Sequence, residues 1–159
     1  MGNVFNAAEV IDMGIEKEKK RRDFYGLVAE KFNDKEMKEL FTKLRDWEES
    51  HIEKFGEIKK GIKQLEATDK YPGELNDYIL ALIDDKLYDE VSPLEFAKNV
   101  KSPLSAVRYG MGFEKDAILF FREILFFTEP ANKDAIEKLI DEEKGHIIYL
   151  AELKKKLSK

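Results

Sequence analysis

Between residues 34 and 65, apolar side chains recur at Met37, Leu40, Phe41, Leu44, Trp47, Phe55 and Ile58, with polar residues between them. That spacing lays them along one face of a helix. Residues 7–32 carry a looser version of the same pattern through Val10, Met13, Ile15, Phe24, Leu27 and Val28. Asn33-Asp34 interrupts the two segments, and Asp34 suits the cap of the second. A connection this short folds two helices antiparallel. From Pro103 to Phe127 the chain is apolar around much of a helix, through Ile118-Leu119-Phe120-Phe121 and Ile124-Leu125-Phe126-Phe127, more than one buried stripe needs. Thr128 to Asn132, containing Pro130, predicts a tight connection, and Lys133 to Lys156 predicts the last long helix. Residues 66–102 differ. Tyr71-Pro72-Gly73 signals a turn, and Ser92-Pro93-Leu94-Glu95 reads as a capping box with proline at the first helical position. One or two short helices are expected there. No segment sustains period-two alternation, so no sheet is expected. The chain reads as all-α and as one domain over residues 1–159. Two antiparallel hairpins, 7–65 and 103–156, are joined by one long crossover, 66–102, into a four-helix bundle.

The two hairpins resemble each other in detail. The chain has two histidines, and each stands three residues after a glutamate: Glu48-Glu49-Ser50-His51 and Glu143-Lys144-Gly145-His146. At this spacing on a helix the two side chains lie about 60° apart and project from one face. Upstream, Gly14 stands four residues before Glu18, and Phe24-Tyr25 six and seven after it. Gly110, Glu114 and Phe120-Phe121 repeat that arrangement. Glu18 precedes Glu48 by 30 residues and Glu114 precedes Glu143 by 29, so the copies are offset by 95 to 96. Two copies at so long a period imply a pseudo-twofold bundle, not a stacked array.

Composition narrows the chemistry. The chain is 43% hydrophobic and 38% charged, with a net charge of −5. This gives no footprint for nucleic acid, and the run Lys17 to Arg22, broken by Glu18, reads as a solvated helix face. No apolar stretch reaches the ~18 residues that span a bilayer, and no membrane partner is expected. There is no cysteine, which excludes disulfides, thiolate catalysis, iron–sulfur clusters and cysteine-ligated zinc. The expected compartment is the cytoplasm.

Bringing the hairpins together converges Glu18, Glu48, His51, Glu114, Glu143 and His146 in the bundle core. Four carboxylates and two imidazoles match two divalent cations, and the oxygen-rich set favours iron or manganese. On these motifs the chain resembles the rubrerythrin-like members of the ferritin-like diiron-carboxylate proteins, over both hairpins. The resemblance implies a ferritin-like four-helix bundle holding two iron ions per chain, with manganese as a substitute. Glu48 and Glu143 would bridge the irons, Glu18 and His51 would complete one, and Glu114 and His146 the other. It also implies reduction of hydrogen peroxide or dioxygen. Without cysteine the chain has no rubredoxin module, so an external donor, a rubredoxin-like protein or a small reductant, would supply electrons. Such proteins carry a further metal-binding glutamate three residues after Glu114; here that position is Ala117. Tyr25 has Phe121 at its repeat-related position.

Tyr25 lies two turns from Glu18 on the same face, where its hydroxyl could reach a ligating carboxylate and take a catalytic part, or simply pack in the core. Trp47 reads as core packing. Glu16, Glu49, Glu142, Asp46 and Asp141 are expected to face solvent. The surplus apolar surface after Ile118 predicts a homodimer. Alternatives to redox chemistry are iron or manganese sequestration without turnover, and a metal-free structural bundle.

Overall fold

The computed structural model of the protein describes residues 7–61, 81, 92–127 and 130–159. Five helices are delimited among them and no strand occurs among the described residues: α1 (Ala7–Lys31), α2 (Lys35–Gly61), α3 (Pro93–Asn99), α4 (Pro103–Phe127) and α5 (Pro130–Leu157). The expected end of the second helix beyond Gly61 and the turn at Tyr71-Pro72-Gly73 lie outside the described residues.

The helix starts follow from local chemistry. Asp34 Oδ1 accepts the Met37 N–H at 2.9 Å, and its carbonyl accepts that of Lys38 at 3.0 Å. Ser92 accepts the Glu95 N–H at 3.3 Å, with Pro93 opening α3. Ser102 accepts the Ser105 N–H at 3.2 Å and opens α4. The last helix corrects the expectation. It begins at Pro130 rather than Lys133, because proline lacks only an N–H that the first turn leaves unpaired anyway.

Cross-helix pairs give the directions. Lys59 with Asp12 at 2.6 Å and Arg22 with Glu49 at 2.8 Å run α1 against α2. Lys17 with Asp116 at 3.3 Å and Tyr25 with Glu114 at 2.6 Å run α1 against α4. Lys54 with Glu142 and Lys156 with Glu36, both at 2.8 Å, run α2 against α5. Since α4 and α5 form the other hairpin, each long helix opposes both neighbours, and α2 and α4 point the same way. The end of α2 and the start of α4 therefore lie at opposite ends of the bundle, about 40 Å apart for a helix of 27 residues. The short helix α3 sits at the end of α1, where Lys31 Nζ donates to the Ala97 carbonyl at 2.8 Å.

The core has two apolar lobes. One holds Phe24, Tyr25, Val28, Phe41, Leu44, Phe96, Val107, Phe113 and Leu150. The other holds Ile11, Phe55, Ala117, Phe120, Phe121, Ile124, Ile136 and Leu139. Between them lies a buried layer of Glu18, Arg21, Glu48, His51, Glu114, Glu143 and His146. The repeated glycines serve close packing beside this layer. A Cβ on Gly14 would lie 3.3 Å from the Phe120 ring, and one on Gly110 would lie 3.1 Å from the Tyr25 hydroxyl. Much of the apolar surplus on α4 is consumed inside: Phe120, Phe121 and Ile124 are buried, while Leu119 is 43% exposed. Among the described residues no helix is long and apolar enough to cross a membrane.

Candidate metal centre

On α1 the inward stripe reads Glu18, Arg21, Tyr25, Val28, each one helical turn from the last. On α2 it reads Leu44, Glu48, His51, Phe55; on α4, Val107, Gly110, Glu114, Ala117, Phe121; on α5, Leu139, Glu143, His146, Leu150. Each ionisable group thus occupies a position that core geometry assigns to a hydrophobe. All six expected ligands are buried, none more than 5% exposed.

Two sets of ligand atoms converge, each lying within 4.8 Å of one another: Glu18, Glu48, His51 and Glu143, and Glu48, Glu114, Glu143 and His146. Glu48 and Glu143 belong to both. The Nδ1 of each histidine faces the cluster. His51 Nδ1 lies 2.7 Å from Glu143 Oε1 and 3.5 Å from Glu18 Oε2. His146 Nδ1 lies 3.0 Å from Glu143 Oε2 and 3.6 Å from both Glu48 Oε1 and Glu114 Oε2.

The carboxylates share one arrangement: a protein group holds one oxygen, and the other makes no hydrogen bond and faces a histidine Nδ1 at 2.7 to 3.6 Å. Glu18 Oε1 accepts from Arg21 Nη2. Glu48 Oε2 accepts from Arg21 Nε at 3.4 Å, and Glu114 Oε1 from the Tyr25 hydroxyl at 2.6 Å. Glu143 Oε2 meets His146. Glu18 Oε2, Arg21 Nη1, Glu48 Oε1, Glu114 Oε2, Glu143 Oε1 and His51 Nδ1 are buried without a hydrogen-bond partner among the described residues. Buried orphans are rare and costly in folded proteins. Five of these six atoms belong to the expected ligands and fall in two convergent sets, an arrangement that suits cations. The donor set suits iron or manganese.

Electrostatics agree with a site awaiting positive charge. Burial, opposed by Arg21, raises the Glu18 carboxyl well above its usual range. Burial and the neighbouring Glu143 charge push Glu114 up to about 7. Burial would also raise Glu143, but its contacts with Glu114, His146 and His51 win and hold it down at about 2. For the histidines burial lowers the pKa, and carboxylate contacts outweigh it. His51 rises to about 11 through Glu143 and Glu18, and His146 to about 12 through Glu114, Glu143 and Glu48.

Three residues depart from the expectations. Arg21 belongs to the run read as a solvated face, yet it is 1% exposed and bonded to two of the ligands. Lys17 in the same run is also buried, against Asp116. Glu142 does not simply face solvent. It accepts from Lys54 at 2.8 Å and pairs with His51 Nε2 at 2.9 Å, which leaves Nδ1 as the atom facing the cluster. A signal for Arg21 was present, since it stands three residues after Glu18 and four before Tyr25. Nothing in sequence spacing marks Glu142, whose contact crosses two helices. Glu16, Glu49, Asp46 and Asp141 do lie on the exposed side, in surface ion pairs with Lys19, Arg22, Arg45 and Lys144. Trp47 is half-buried and stacks on the His146 ring, centroids 4.6 Å apart, with His51 stacked 5.2 Å beyond.

Tyr25 spans the two hairpins. Burial, with the charges of Glu114 and Glu48, lifts its phenol well above the usual value, so it stays a donor. Tyr25→Phe is expected to cost about 1–3 kcal/mol in the metal-free protein, because Glu114 Oε1 loses its buried donor. Metal affinity should fall roughly 10- to 100-fold. Urea unfolding and chelator competition read the two effects.

Residues 9–154 match the sequence profile of the Rubrerythrin family. No curated protein matches the chain. The fold is similar to the 2.30 Å crystal structure of a proposed ferritin-like diiron-carboxylate protein from Thermotoga maritima, with a TM-score of 0.74, 22% identity and 98% of each chain covered.

Proposed function

The chain belongs to the rubrerythrin family, and from that premise we propose that it is a non-haem diiron redox protein reducing hydrogen peroxide or dioxygen. The observation that carries this reading is the set of unpaired, buried carboxylate oxygens and His51 Nδ1 converging on two points. Glu48 and Glu143 belong to both ligand sets and would help to hold both ions. Glu18 with His51, and Glu114 with His146, would complete one each. When bound, a ferrous pair supplies the two electrons that reduction of peroxide to water consumes. The protein's own groups do the rest. Arg21 and Tyr25 hold the carboxylates in place, Glu142 orients His51, and the two apolar lobes keep bulk water from the layer between them. The 159 residues contain no cysteine, so reducing equivalents come from a donor outside them.

Anaerobic ferrous loading followed by desalting tests the reading. About two irons per chain are expected, falling to well under one in Glu48→Ala, which removes a bridge common to both positions. Rapid loss of the ferrous state on adding peroxide, abolished in the variant, would support redox turnover. Two irons retained with no response to peroxide would favour sequestration. No metal in either protein would leave a structural bundle.

A further inference from the structure

The ligands obey the internal twofold, but the residues behind them do not. By the repeat, Tyr25 of α1, which donates to Glu114 of α4, corresponds to position 121 of α4, which should donate to Glu18 of α1. That position is Phe121, and it has no hydroxyl. Arg21 takes over the missing contact. Its guanidinium lies over the Phe121 ring, 5.9 Å from the centroid, and donates to Glu18 and Glu48. The repeat-related position of Arg21 is Ala117, fully buried and chargeless. One terminal carboxylate is therefore held by a neutral phenol and the other by a permanent cation. Arginine does not deprotonate in proteins, and Arg21 is too deeply buried to swing into solvent.

We infer that the two halves of the centre bind metal unequally, with the Glu114/His146 half filling first and tightly, the Glu18/His51 half second and weakly, and Arg21 setting the gap. The inference rests on the metal-site reading above. Its physical basis is simple. A divalent ion at the Glu18 half meets a fixed positive charge that shares both Glu18 and Glu48, whereas at the Glu114 half the Tyr25 hydrogen bond adds no net charge. Metal–metal repulsion alone would also separate two binding steps, but it would not choose which half fills first.

The protein carries its own reporter of that order. Its single tryptophan, Trp47, stacks directly on His146 and is one ring further from His51. Metal-free protein is titrated with manganese(II), bound ions are counted from the free-ion EPR signal, and Trp47 fluorescence is followed in parallel. Wild type should take two ions in steps at least about tenfold apart in Kd, with the fluorescence change complete in the first. Arg21→Met should tighten the second step by about tenfold or more and the first by clearly less, since of its two carboxylates only Glu48 serves the Glu114 half. Arg21→Lys, which keeps the charge, should keep the gap. Should Arg21→Met fold poorly, combining it with Phe121→Tyr gives Glu18 a neutral donor like that of Glu114, and the gap should narrow to what ion–ion repulsion alone sets. Two equivalent ions in wild type, fluorescence following the second step, or a gap untouched by loss of the charge would each overturn the inference. Failure of wild type to bind either manganese or iron would instead overturn the metal-site reading itself.

Discussion

Loading the metal-free protein with two ferrous or manganese ions is expected to raise its thermal midpoint by roughly 8–16 °C. At free ion a thousandfold above its dissociation constant, one ion that binds only the native state stabilises it by about 4 kcal/mol, and the figure counts the tighter of the two ions alone. For a chain of this size each kcal/mol moves the midpoint by roughly 2–4 °C. The site gives reason to expect the full effect. Four buried carboxylates crowd one layer, and five of the ligand residues each keep an unpaired buried donor atom. In the metal-free chain that crowding is relieved only by Arg21 and by protons. Two divalent ions would satisfy the orphaned atoms together. Glu143→Ala removes a residue common to both convergent sets, so its midpoint should respond to metal by no more than a degree or two. Scanning calorimetry with and without a chelator decides the matter, and a midpoint insensitive to metal in the unaltered protein would contradict the assignment.

Metal uptake at pH 7 should also release at least two protons per chain. Without metal, His51 titrates at about 11 and His146 at about 12, so both are imidazolium at neutral pH. Metal ligation through Nδ1 needs that nitrogen unprotonated. Glu114, at about 7, adds a fraction of a third proton. The sign for stability follows from the raised values. The imidazolium–carboxylate pairs stabilise the metal-free fold fully below the unfolded histidine value of about 6.5, and that contribution declines as pH rises toward 11 to 12. Metal competes with these protons, so affinity for the pair should climb by about two log units per pH unit just above neutrality, and the thermal shift should grow with it. Calorimetric titration in two buffers of different ionisation enthalpy counts the protons. A proton count near zero at pH 7 would show that the histidines are neutral before metal arrives.

Much of the bundle could be read from the chain because its informative positions are local. Glu-x-x-His places two side chains on one helix face whatever the tertiary context, and the repeat of Gly, Glu and an aromatic pair ties the two hairpins together. Asp34, Ser92 and Ser102 announce helix starts through side-chain oxygens that reach only three residues. What escaped depends on contacts between helices. Arg21 was hidden in a run of charges, where each residue alone favours solvent, and only its helical register with Glu18 and Tyr25 distinguishes it. The inward face of α1 carries Glu18 and Arg21 in mid-stripe, so its apolar periodicity is weak where its role in the site is strongest. Glu142 acquires its place only when α5 lies against α2. Pro130 falls within what reads as a tight connection, yet the same absent N–H that breaks a helix interior suits a first turn.

The sharing of Glu48 and Glu143 between the two halves has a bearing on biosynthesis. One ligand set takes Glu18, Glu48 and His51 from the first hairpin and only Glu143 from the second, and the other set is the mirror of this. A newly made first hairpin, folded before its partner emerges, can offer a metal ion three of four protein ligands and no second ion beside it. Both ligand sets are completed only when the hairpins dock, so a chain with its second hairpin unmade has neither set whole.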